Sequence, residues 1–284
     1  MSSIDFAHIA PTAYLETFTR TNGAHLILAH LVESDEEYRS FYANLNDGKL
    51  KIMDNSAFEM YKQGREMYPT ENLLAMGKAC KADMIVMSDY PGQPAAVTIQ
   101  AAKNTAQEIK NAGFQTFYVP QSMIGDLTDY IEGLDWGLNS NLVDRIGLSI
   151  LGCPNAYGVE KDNKLQRYLS RYSILKHIDN LGMLKTNHTN KFHCLGMVDG
   201  PNEIALLAPW HEFIASWDSS AAVWAGINNI RFDSSPTGLV NGKFEKEVDF
   251  DYRSTLTVDQ LNDVLYNIDF IDNLVKPIRY EVMV

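Results

Sequence analysis

Short apolar runs alternate with longer amphipathic stretches along most of this chain, the pattern of strands that are each followed by a helix. The runs at 24–32, 51–54, 83–89, 114–121, 145–150, 192–197 and 213–218 read as seven strands. Between them lie helical signals. Ser34-Asp35-Glu36-Glu37 offers a cap and first-turn acids ahead of Tyr38, Phe41 and Leu45 at helical spacing. Pro69-Thr70-Glu71 opens a helix carrying Leu73, Leu74, Met76 and Ala79, and residues 95–112, rich in Ala, Lys, Gln and Glu, form another that stops at Gly113. Further helices are predicted at 126–134, across 163–181, from Pro201-Asn202-Glu203, from Ser219-Ser220 and over 257–275.

Such alternation predicts an α/β fold with a parallel sheet. An eighth strand between Ile230 and Phe250, ahead of the last helix, would close a (β/α)8 TIM-type barrel; residues 231–253 are Gly-, Ser- and Asp-rich and give no clear element. A doubly wound open sheet is the rival. The barrel is preferred because functional-looking residues end many strands rather than gathering at one crevice. With no linker or repeat, residues 1–284 read as one domain.

Composition narrows the setting. A hydrophobic share of 45% with 21% charged residues suits a soluble globular protein and argues against disorder. No apolar run approaches the roughly eighteen residues of a membrane span, and the amino-terminal stretch lacks the basic-then-apolar order of a secretory signal. A cytoplasmic protein without membrane contact is the expectation. Cys80, Cys153 and Cys194 are widely spaced and form no C-x-x-C, so free thiols are expected rather than disulfides or a zinc site. Neither a histidine pair at metal-binding spacing nor a Gly-rich phosphate cradle, nucleophile elbow or kinase-like set is present, and no cofactor is expected. The net charge of −12 opposes polyanion binding over the whole surface. Locally, residues 160–191 hold seven basic against three acidic residues, and Lys161, Lys164, Arg167 and Arg171 offer the best landing face for a nucleic acid, although such a run is more often a solvated helix face.

The candidate chemistry lies where apolar runs end in polar residues. Lys51-Ile52-Met53-Asp54 and Asp83-Met84-Ile85-Val86-Met87-Ser88-Asp89 both finish on a carboxylate, as does Phe213-Ile214-Ala215-Ser216-Trp217-Asp218, while residues 114–121 finish on Gln121. Each Asp alone could simply cap the next helix. In register, all four would meet at the carboxyl-terminal mouth of a barrel. Gathered carboxylates repel, so at least one stays protonated at neutral pH. An ionised carboxylate beside a protonated one suits glycosidic chemistry, one attacking the anomeric carbon while the other moves protons.

Asp54-Asn55-Ser56-Ala57-Phe58-Glu59 resembles the Asp-Ser-Gly-Gly-Phe-Gln motif of tRNA-guanine transglycosylases. In the same order, residues 83–89 resemble that family's base-recognising strand, Val119-Pro120-Gln121 its Val-Gln-Gly, and Ile146-Gly147-Leu148-Ser149 its Gly-Gly-Leu. Leu195-Gly196-Met197 through Gly200-Pro201 is similar to its Met-Gly-Val-Gly-x-Pro run, and Trp217-Asp218-Ser219 to its Phe-Asp-Cys. The resemblance covers residues 24–242 and implies a (β/α)8 barrel that exchanges a purine base at C1′ of a polynucleotide. It implies Asp218 as nucleophile and Asp54 as general acid/base. It further implies Asp89 and Gln121 as readers of the base edge, Gly147 and Leu148 at the pocket wall, Leu195 or Met197 beneath the ring, and Phe58 in the substrate-binding set. The family's C-x-C-x-x-C…His zinc motif has no counterpart here, Ser56-Ala57 replaces Gly-Gly, and Ala222-Val223-Trp224 replaces Thr-Arg. That pattern resembles the short bacteriophage and bacterial paralogues without a zinc subdomain, which put 7-deazaguanine derivatives into DNA. The implied partners are DNA, with tRNA as the alternative, and a 7-deazaguanine base. The net acidity suggests a homodimer or an accessory protein for further DNA contacts.

Overall fold

The computed structural model describes residues 3–197, 200–239 and 255–276. Eight parallel strands form one sheet: β1 (Asp5–His8), β2 (Ala24–Leu28), β3 (Leu50–Asp54), β4 (Met84–Val86), β5 (Gln115–Tyr118), β6 (Arg145–Ser149), β7 (Phe192–Leu195) and β8 (Ile214–Ser219). Their order is β1-β8-β7-β6-β5-β4-β3-β2, which brings the first and second strands to the two edges of a nearly closed TIM-type barrel. The edges meet without a regular ladder. Gly23 N–H donates to the Phe6 carbonyl at 2.8 Å, and a Cβ at Gly23 would stand 2.8 Å from the Asp5 Cα, so only glycine allows this approach.

The strand that completes the barrel differs from expectation. It is Asp5–His8, paired in parallel with β8 from Asp5↔Ser216 to His8↔Ser219, and not a segment between Ile230 and Phe250. Residues 230–239 contain no strand, and 240–250 lie outside the described residues. At four residues β1 is too short to show a period, yet Phe6 and Ala7 are buried and its edge is satisfied by β8.

The remaining seven strands fall where the apolar runs are, with trimmed ends. The first run stops early: Ala29–Ser34 is helical, and the helix after it, Glu36–Asn44, is capped by Asp35, whose side chain accepts from the N–H groups of Glu37 and Tyr38. The stretch 163–181 divides into Lys164–Tyr168 and Ser170–Asn180. The last helix, Val258–Val275, starts from a capping box between Thr257 and Gln260. Helices cover the sheet, and their apolar faces bury side chains such as Leu73, Ala102, Ile109, Leu134, Ile174 and Ile271 against it. All three cysteines are buried free thiols. Among the described residues no helix is long and apolar enough to cross a membrane.

Candidate active site

Side chains alternate across a strand, so residues two apart share a face. Leu26 and Leu28 on β2, Asp54 ending β3, Ser149 ending β6, Leu195 ending β7 and Asp218 on β8 therefore turn inward together at the carboxyl-terminal mouth. Asp89 and Gln121 follow β4 and β5 into the same opening. These groups line one cavity of about 550 Å³, within the range of roughly 300–1,000 Å³ usual for small-molecule sites. Phe58 and Met197 line it as well, so seven of the nine residues expected at the site share one space.

Gly147 and Leu148 do not line it. Gly147 lies one layer below, where a Cβ would come within 2.6 Å of Phe117 and 2.7 Å of Leu195, and Leu148 is fully buried in the core. The β6 portion of the wall is Ser149, Ile150 and Leu151 instead. The expected nucleic-acid face also changes. Lys161 and Lys164 are exposed and Arg167 half-buried, but Arg171 is fully buried. Arg171 pairs with buried Glu203 at 2.9 Å, stacks 5.0 Å above the Trp217 ring and donates to the Gly196 carbonyl at 2.6 Å. It is an internal strut because its helix, Ser170–Asn180, packs that face on the barrel.

Asp54 accepts from the Ser56 N–H at 2.8 Å, helped by a left-handed Ser56 (φ 55°) that turns the chain into the helix Ala57–Gln63. Burial holds the Asp54 carboxyl well above the usual carboxylate range, and the nearby Glu59, Asp218 and Asp89 add to it by repulsion. Folding therefore favours the protonated form of Asp54 relative to a solvated aspartate. Glu59, in the first turn of that helix and on the cavity wall, is pushed up to about 7, chiefly by burial and further by Asp218.

Asp89 is buried between two amides. Asn55 Nδ2 donates to its Oδ1 at 2.8 Å and Gln121 Nε2 to its Oδ2 at 2.6 Å. Burial raises Asp89 to about 6 while these two bonds oppose the rise, so at pH 7 it is mainly an acceptor-only carboxylate. Gln121 Oε1 is a buried acceptor with no partner among the described residues. Asn55 is itself tied to the Met87 carbonyl at 2.7 Å, which ends its freedom to rotate.

Asp218 is not the cap of the helix Ala221–Ile227: Ser219 Oγ takes the Ala221 N–H at 2.9 Å instead. Its Oδ1 lies 2.8 Å from His193 Nε2 and accepts from the Gly196 N–H at 3.3 Å. His193 is fully buried on β7, and burial lowers its pKa against the pull of Asp218, so the ring is neutral. Its other nitrogen lies 2.7 Å from Ser216 Oγ.

Sequence reading missed four of these groups. His193 and Ser216 sit inside strands, two residues before Leu195 and Asp218, and only period-two counting back from the strand ends would have found them. Asn55 and Glu59 stand within the motif already singled out, where neither is given a role of its own.

The fold and mouth thus define an α/β barrel whose strand ends gather an acid, a donor-held carboxylate and an amide-flanked carboxylate around one cavity. Comparison with protein-family models and with curated proteins finds no match for this chain.

Proposed function

We propose that the protein is a pentosyltransferase that exchanges guanine for a 7-deazaguanine derivative in DNA through a covalent Asp218–glycosyl intermediate. The observation that carries this reading is the pairing, in one cavity, of a buried Asp54 whose pKa is held well above the usual carboxylate range with an Asp218 whose Oδ1 is engaged by His193 Nε2 and the Gly196 N–H. In the first half-reaction Asp218 Oδ2 attacks C1′ and the C1′–N9 bond breaks, its electron pair leaving with guanine. Asp54 gives its proton to that base. In the second, the Asp54 carboxylate takes the N9 proton of the incoming base, N9 attacks C1′, and Asp218 departs as a carboxylate. Both carboxylates end as they began, so no other reactant is consumed.

The cluster of Asp89, Asn55 and Gln121 supports a guanine-like edge as ligand. An ionised carboxylate accepts from a neighbouring N1–H and N2–H₂ pair, and an amide on each of its two oxygens restrains the carboxylate in place. A base stacked in a duplex cannot reach such a cavity, so the substrate nucleotide is flipped or single-stranded. The choice of DNA rests on the sequence resemblance to the short paralogues.

Release of isotopically labelled guanine from DNA and from tRNA, with and without a 7-deazaguanine base, tests this. Release from DNA that depends on the second base is expected. Exchange confined to tRNA reassigns the polymer, release without a second base makes the protein a hydrolase, and silence on both polymers removes the transglycosylase reading.

A further inference from the structure

Beneath Asp218 the barrel interior carries a chain of polar side chains where a layer of branched apolar residues is usual. Arg145 Nη1 lies 3.2 Å from Ser216 Oγ, Ser216 Oγ lies 2.7 Å from His193 Nδ1, and His193 Nε2 lies 2.8 Å from Asp218 Oδ1. The three supports come from β6, β8 and β7, with Arg145 reaching past β7 to the alternate strand. The Phe117 ring, 5.3 Å away and edge-on, walls the imidazole.

Donor and acceptor inventories fix the direction of this chain. A guanidinium only donates, so Ser216 Oγ accepts from Arg145. The hydroxyl keeps one proton and a second lone pair and could meet His193 Nδ1 in either role. The Asp218 carboxylate at the other nitrogen only accepts, so the ring hydrogen is on Nε2 and Ser216 donates to Nδ1. The neutral ring then carries its hydrogen on Nε2 and donates it to the Asp218 carboxylate.

We infer that His193 is a positioning residue for Asp218, locked by Ser216 and Arg145 as the Nε2–H tautomer so that Oδ1 is held and Oδ2 is the oxygen presented to the cavity. This inference rests on the proposed transglycosylase reading for its consequence in catalysis, though not for the tautomer. Gly196 N–H, held from behind by Arg171 and by Trp217 Nε1 on its carbonyl at 2.8 Å, supplies the second donor to Oδ1. A carboxylate gripped on one oxygen cannot rotate away from C1′, and its charge is matched by a chain that ends in a guanidinium. The proton of the reaction does not pass through His193; it stays with Asp54.

Two measurements on the full chain test the inference. Imidazole ¹⁵N NMR at neutral pH, with the His193 signal assigned from its loss in His193→Gln, is expected to show a protonated Nε2 and an unprotonated Nδ1. A Ser216→Ala chain, which leaves Asp218 to set the tautomer without the acceptor role of Nδ1 being enforced, should weaken that bias. An Nδ1–H ring or an imidazolium overturns the inference, whether or not any substrate is known. The second measurement is the rate of covalent adduct formation with single-stranded DNA. His193→Ala should slow it about 10- to 100-fold at unchanged DNA affinity, while His193→Gln, whose side-chain N–H can reach Oδ1, recovers most of the loss. A folded His193→Ala chain that forms adduct at the wild-type rate overturns the inference. Wild-type protein that forms no adduct overturns the transglycosylase reading and the catalytic part of this one, while the NMR result still decides the hydrogen-bond chain.

Discussion

Asp54, Glu59, Asp89 and Asp218 share one mouth, and each is set differently by what touches it. Asp54 has one backbone donor and three acidic neighbours, so its proton is retained in the folded chain at a pH where the unfolded chain, near 3.9, has lost it. The folded state then binds more protons than the unfolded one, and stability falls as pH rises through that interval. Asp54→Asn keeps an acceptor for Ser56 and cannot ionise. It should raise the melting temperature at pH 8, show no gain at or below about pH 4, and abolish base exchange. Equal melting temperatures at both pH values would remove the raised Asp54 from the account. Glu59 acts on the same proton from outside. Its charge, gained as pH passes about 7, helps hold the proton on Asp54, so Glu59→Gln should move the alkaline limb of the single-turnover pH profile to lower pH. Asp89 works in the opposite sense. It accepts from the base only when ionised, so the apparent Kd for the free base should rise as pH falls through about 6. Asp218→Asn should lose about 10⁴-fold or more in turnover at unchanged thermal stability, read by adduct trapping and calorimetry.

The elements explain why so much of this was legible. Seven strands were visible as apolar runs because both of their faces are buried, and three of those runs lead into the acids of the mouth for the same reason. A buried strand shows its exit by the first residues that tolerate water. The wall at β6 could not be read this way. Gly147 looks like space left for a ligand, but its missing side chain is filled by Phe117, Leu195 and Val119 from neighbouring strands, a packing fact that appears only when strands are side by side. Gly147→Ala should therefore act on stability, costing about 1–3 kcal/mol in urea unfolding by overpacking the layer beneath the cavity. Arg171 failed for a related reason. Charge along 160–191 counts lysines and arginines without their orientation, and this one turns to Glu203 and Gly196 inside. The acids near Ser34 did mark a helix start, with the cap one residue later at Asp35.

At the scale of the whole molecule, closure depends on segments that a local reading undervalues. Strand β1 has only four residues, but it pairs with β8 along the full stretch that leads to Asp218, including Ala7 opposite Asp218 itself. His8 at its end reaches Asp272 on the last helix at 2.9 Å. Phe6→Ala, at a site 2% exposed, should cost about 3–5 kcal/mol in chemical denaturation and lower adduct formation with it, although no atom of Phe6 lines the cavity. The amino-terminal strand is thus the lateral support of the strand that bears Asp218, while Asn55, Asp89 and Gln121 follow β3, β4 and β5. During synthesis those groups are all in place long before residue 218 leaves the ribosome. A nascent chain stalled before β8 would hold Asn55, Asp89 and Gln121 but not Asp218, and its first strand would wait for the neighbour that pairs with it from Ser216 onward.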